Sequence, residues 1–276
     1  MKNNIEIKEN SFKYSIIFTI LSLGTMWIFS GYLMMNPQYL DKFDIAMFFP
    51  ATIAIIMNIV IYKSGKKVIE PLIRRISIKS LLFGFLYPVG VIGGISLITY
   101  FLGITTLDQE KVPFLLHILS PKILFMIYIL NFGRILGEEY GWRGFLLEHF
   151  SIALGKLKAT LLVGLIWGLW HAPLVYILAI TYKVEHPILL TLLQLSAVFI
   201  FSFPFSYAYF MGRNILPPMI LHLTWNLFNP IILGNLYANQ TGIMKGNITL
   251  INGEALGGIL VGSLFAIWLF KTKKFK

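Results

Sequence analysis

Three short runs of this chain hold the side chains best suited to acid–base chemistry. The first reads NFGRILGEEYGWRG from Asn131 to Gly144. On a helix, residues three or four apart share a face, so Asn131, Arg134 and Glu138 line one stripe. Glu139 and Arg143 form an i,i+4 pair on the next, and each carboxylate has a guanidinium within local reach. Two adjacent carboxylates repel one another, a tuning that suits a general base. The same spacing also describes a salt-bridged helix end at a membrane surface. The second run, WGLWHAP, places His171 between Trp167 and Pro173. A histidine among aromatics is commonly a hydrogen-bonded packing residue. Pro173, however, cannot donate to the carbonyl of Leu169 and bends the helix beside His171, and irregular backbone at membrane depth is tolerated where it lines a cavity. The third run, PPMILHLTWN, sets His222 and Asn226 one turn apart on one face. A ring nitrogen and an amide so presented suit oxyanion stabilisation, or they join neighbouring helices by hydrogen bonds.

These residues stand in a chain that has little other use for polarity. Of its 276 residues 57% are hydrophobic and 13% charged, against about 25% charged in a soluble domain. Such a chain cannot cover its apolar surface in water, and the bilayer must be its solvent. The net charge of +11 does not indicate nucleic-acid binding, because the basic residues sit at the edges of apolar stretches, where a membrane surface explains them. With no cysteine, disulfides, thiolate ligands, a cysteine nucleophile and cysteine lipidation are excluded. The bulky residues after the first apolar run argue for a retained helix over a cleaved signal peptide.

About 20 apolar residues span a bilayer, and eight stretches are candidates: about Tyr14–Leu33, Ile45–Tyr62, Leu81–Leu102, Pro121–Leu136, Ala159–Ile180, Ile188–Met211, Pro217–Leu236 and Leu256–Phe270. The fourth is expected to continue as a helix into the run containing Glu138. Eight spans with a cytoplasmic N-terminus put sixteen Lys and Arg on the cytoplasmic side, Lys2 and Lys276 among them, and five on the other. That asymmetry is the one cytoplasmic loops carry. The expected fold is an all-α, polytopic helical bundle of about eight transmembrane helices with both termini cytoplasmic. It forms a single domain, 1–276, in the cell membrane, with a motif-bearing core at about 119–236. The sequence specifies no oligomeric state.

Charged side chains at membrane depth cost roughly 2.5–3.5 kcal/mol on insertion scales and mark functional sites by default. If the three spans pack together, their polar groups converge on a wet catalytic or transport cavity.

The combination resembles the CAAX prenyl protease and bacteriocin-processing family, also called Abi, of intramembrane proteases. Its signature is Glu-Glu-x-x-x-Arg, aromatic-x-x-x-His and His-x-x-x-Asn. Here these read Glu138-Glu139-x-x-x-Arg143, Trp167-x-x-x-His171 and His222-x-x-x-Asn226. The second motif usually begins with Phe, so Trp167 implies an altered pocket shape with the chemistry retained. The resemblance implies that Glu138, assisted by His171, activates a water, and that His222 and Asn226 hold the oxyanion. Glu139 and Arg143 would support them, with Arg134 and Trp167 beside the site. No cofactor is expected. A divalent metal such as zinc on Glu138, His171 and His222 is the rival, since two His and a carboxylate are a common catalytic zinc shell. Against it, the chain has no His-Glu-x-x-His run. The implied substrate is a membrane-associated peptide or protein, lipidated or leader-bearing. Two other readings compete: a transporter or proton relay through Arg134, Glu138 and His171, and a catalytically silent immunity or scaffold protein. The first lacks the paired halves common in transporters, and the second would be expected to have lost a motif position.

Overall fold

The computed structural model describes residues 2–275; Lys276, placed above on the cytoplasmic side, lies outside them. The described chain is helical almost throughout. Helix α1 (Lys2–Met35) is followed by a 3-10 segment (Pro37–Phe48) that runs directly into α2 (Phe49–Tyr62). A short α3 (Gly65–Ile73) precedes α4 (Ile78–Phe101). Then come a two-residue strand β1 (Thr106–Leu107), α5 (Val112–Ile118) and α6 (Pro121–Glu139). Helix α6 continues as a π-helix (Tyr140–Leu147) into α7 (Glu148–Leu154). The rest is α8 (Lys156–Thr181), α9 (Pro187–Phe210), α10 (Leu216–Ile232), β2 (Met244–Lys245), α11 (Ile248–Ile251) and α12 (Leu256–Lys271). Strands β1 and β2 pair antiparallel and tie the α4–α5 connection to the α10–α11 loop.

The eight expected stretches fall on helices, the seventh ending at Ile232 instead of Leu236, and the chain is a multi-pass integral membrane protein. Six helical stretches are long and apolar enough to cross a bilayer, and a seventh forms if the α5–α6 pair, bent by 75°, is one span. The expected seventh span is α10, with 17 residues. It falls just short of that length and is an interior helix. Eleven of its residues are buried, including His222, Thr224 and Asn229. It packs against α4, α6 and α9, so its polar groups meet protein instead of lipid.

Glycine spacing sets how closely these helices approach. Gly164 and Gly168 form a small-xxx-small stripe on α8. A Cβ at either would stand 2.9 or 3.0 Å from a carbonyl of α9, that of Phe199 or of Leu195. Proline effects are equally local. Pro173 inside α8 leaves the Leu169 carbonyl without its helical donor, and the Trp27 indole of α1 supplies one at 3.1 Å. On the basic side, α3 carries Lys67, Glu70 and Arg74 in sequence, with N–O distances of 2.8 and 3.0 Å to Glu70. The Lys67 hydrogen bond, with help from Arg74, holds the Glu70 carboxyl below its ordinary range. Arg74 then reaches Glu148 of α7 at 3.3 Å, fastening α3 to the bundle.

Candidate active site

Helix α6 delivers Glu138 and Glu139 in its last turn, and the backbone then widens into the π-helix, all eight residues of which are buried. Such bulges are frequent at functional sites. Gly137 and Gly141 let the chain entering α2, and the first turn of α2, lie against this turn. A Cβ on Gly137 would stand 2.4 Å from the Met47 carbonyl oxygen, and one on Gly141 2.4 Å from Pro50 Cβ. The glutamate pair is therefore clamped between glycines that no larger residue can replace without moving the 37–50 segment.

The two glutamates have different surroundings. Glu139, wholly buried, accepts on one oxygen from Arg143 Nη1 at 2.9 Å and from His222 Nδ1 at 2.8 Å. An ionised carboxylate only accepts, so His222 carries its proton on Nδ1 and keeps Nε2 for other use. The Arg143 guanidinium is stacked between the rings of Trp167 and Phe205, 4.1 and 4.3 Å from their centroids. Planar stacking plus a carboxylate is a setting that suits arginine and not lysine. Glu138 takes a hydrogen bond from Trp167 Nε1 at 3.0 Å.

Trp167 also fixes His171. The backbone carbonyl of Trp167 accepts from His171 Nδ1 at 3.0 Å, so Nδ1 is the protonated nitrogen and Nε2 the basic one when the ring is neutral. One residue thus orients a carboxylate through its indole and an imidazole through its carbonyl. Trp170 packs edge-on against the same imidazole, centroids 4.8 Å apart.

Glu138, His171, His222 and Asn226 line a single cavity of about 280 Å³. Its remaining wall is largely apolar, including Leu174, Val198 and Phe201. Trp167 also faces it, whereas Glu139 and Arg143 stand behind it. Arg134 sits elsewhere: it pairs with Asp44 of the 3-10 segment and, with Asn131, lines a second cavity of about 190 Å³. Its expected partnership with Glu138 therefore gives way to one with a residue 90 positions earlier. Asp44, Met47 and Asn226 are common to the two cavities.

A metal would need three ligands on one point. Among the described residues no group of three His, Asp or Glu side chains is placed to hold one. Glu138, His171 and His222 share a cavity without forming a ligand set, and no step is assigned to a metal.

Phe205, Asp44 and the trio Gln194, Tyr237 and Glu254 also belong to these cavities. An aromatic in an apolar run gives no sequence signal, and Asp44 reads as a loop residue. Glu254 could have been noticed, being the sole acidic residue after Glu185.

Comparison with known proteins gives the arrangement a lineage. Residues 120–228 match the family model described as "Type II CAAX prenyl endopeptidase Rce1-like", which is less than half of the chain but contains all three motifs. A 40-residue stretch is 40% identical to CAAX prenyl protease 2 of Methanococcus maripaludis, covering 14% of this chain and 15% of that relative. Over its motif-bearing core, residues 120–228, the chain is similar to the Rce1-like type II CAAX prenyl endopeptidases.

Proposed function

We propose that this protein is an intramembrane endopeptidase that hydrolyses a peptide bond with a water activated by Glu138. The observation that carries the reading is the shared orienter: Trp167 holds both Glu138 and His171 at one cavity. In this mechanism Glu138 takes a proton from water as the oxygen attacks the carbonyl carbon, and His171 Nε2 assists in positioning it. The oxyanion that forms is stabilised by His222 Nε2–H and the Asn226 amide. Glu139 balances the charge of a doubly protonated His222, and Arg143 fixes Glu139. The proton on Glu138 then passes to the leaving amine, completing hydrolysis without a covalent intermediate. The eight-span topology with both termini cytoplasmic belongs to the same proposal, with α10 as an interior span.

The relative's name suggests the substrate: a membrane-associated peptide with a prenylated C-terminal tail. A fluorescence-quenched peptide ending in farnesyl-cysteine and three further residues tests this in proteoliposomes. Wild type should cut it and Glu138→Ala should not. Equal cutting by both would remove Glu138 from the mechanism. No cutting by either would redirect the proposal to leader-bearing precursors.

A further inference from the structure

The cavity that holds Glu138 has a second polar cluster, which includes a carboxyl and an unpartnered amide oxygen. Glu254 follows α11 and lines the cavity together with Tyr237 and Gln194. Tyr237 O–H donates to Glu254 Oε2 at 2.7 Å, and Gln194 Nε2 donates to the Tyr237 hydroxyl at 3.2 Å. Because the phenolic proton goes to the carboxylate, Gln194 must present its N–H to Tyr237, and that fixes its carbonyl outward. Gln194 is 2% exposed, and its Oε1 has no hydrogen-bond partner among the described residues.

Glu254 is held firmly by its own loop. Asn252 Oδ1 accepts from the Glu254 backbone N–H at 2.8 Å, and Asn229 of α10 bonds Asn252 at 3.1 Å and the Gly253 N–H at 2.9 Å. No Lys or Arg among the described residues pairs with Glu254. A carboxyl fixed in a cavity with no Lys or Arg beside it calls for an outside partner. Gln194 Oε1 is a buried acceptor without a partner, the Glu254 carboxyl takes a side-chain hydrogen bond on Oε2, and the Trp225 indole N–H nearby in the cavity lining is also unpartnered. Leu174, Leu178 and Val198 supply apolar lining in the same cavity.

We propose that Glu254, Gln194 and Tyr237 form a specificity subsite that receives a lysine or arginine side chain of the substrate. This rests on the protease reading and adds to it a choice of substrate. An ammonium or guanidinium offers donors and no acceptor, matching Gln194 Oε1 and the Glu254 carboxyl, and its methylene stem suits the apolar lining. The basic residue stands at a fixed number of positions from the cut bond, because both ends of one rigid cavity hold the same peptide.

Peptide termini generated in membranes of cells expressing wild type, Glu254→Gln or Tyr237→Phe, at matched levels of folded protein, test it. Wild-type-specific cut sites should be enriched in Lys and Arg at one position. In Glu254→Gln that enrichment should fall about tenfold, the scale of a lost charge-assisted hydrogen bond, and in Tyr237→Phe by less. Wild-type cut sites without a preferred basic position would overturn the subsite while leaving the protease intact, as would an unchanged enrichment in Glu254→Gln. An absence of wild-type-specific termini would instead defeat the protease reading, and the subsite with it.

Discussion

Trp167 Nε1 donates to Glu138 Oε2 at 3.0 Å, a contact that phenylalanine, the residue usual at this motif position, cannot make. The substitution does more than reshape the pocket: it supplies the hydrogen bond that holds the carboxylate. Trp167→Phe should therefore keep the fold and lower the cleavage rate about tenfold, the scale of one hydrogen bond to a charged group. KM should change little. Wild-type turnover in Trp167→Phe would show that Glu138 is positioned by other means.

Glu139 is expected to act through stability as well as rate. It is the common partner of Arg143 and His222, so Glu139→Gln leaves a buried guanidinium without a countercharge. Removing one partner of such a pair costs about 3–5 kcal/mol. Thermal unfolding in detergent should show a large drop, and Arg143→Lys should fall too, since lysine loses the stacking on Trp167 and Phe205. Unchanged melting of both variants would argue that this cluster contributes nothing to the fold.

Gly141→Ala tests the packing around the glutamate pair. The new Cβ would meet Pro50 Cβ at 2.4 Å and its carbonyl oxygen at 2.8 Å, and overpacking of this kind costs about 1–3 kcal/mol. Activity and melting temperature should fall together. A fully active, equally stable variant would show that the 37–50 segment can retreat freely.

Trp27 and Pro173 should be coupled. Trp27→Phe strands the Leu169 carbonyl at a cost of about 1–3 kcal/mol. Adding Pro173→Ala restores a backbone N–H at the position that bonds that carbonyl in a regular helix. The double variant should thus be more stable than Trp27→Phe alone, a non-additivity that a double-mutant cycle reads directly. Strict additivity would mean that the indole hydrogen bond carries no stability.

Much of this site was legible in the sequence because its key pairs are local. The Glu139–Arg143 contact follows from i,i+4 spacing, and the freed Leu169 carbonyl follows from Pro173. Partners on other helices were not legible, since spacing along one helix gives no rotation or depth relative to the next. Thus Arg134 lies on the expected stripe with Glu138, yet it pairs with Asp44 on a segment that reads as a loop. Gln194 and Tyr237 are 43 residues apart and meet only through the packing of α9 against the loop after α10. The all-helical, multi-pass character was visible from hydropathy. The interior position of α10 was not, because a run of 17 mixed residues resembles a short span until its neighbours are known.

The most direct test compares new peptide termini in membrane and secreted fractions of cells expressing wild type or Glu138→Gln at equal levels, read by mass spectrometry. The account predicts termini that appear with wild type and vanish with Glu138→Gln, while both proteins insert equally. Identical termini in the two, with equal insertion, would contradict a proteolytic role for Glu138 and bring the transport and scaffold readings forward.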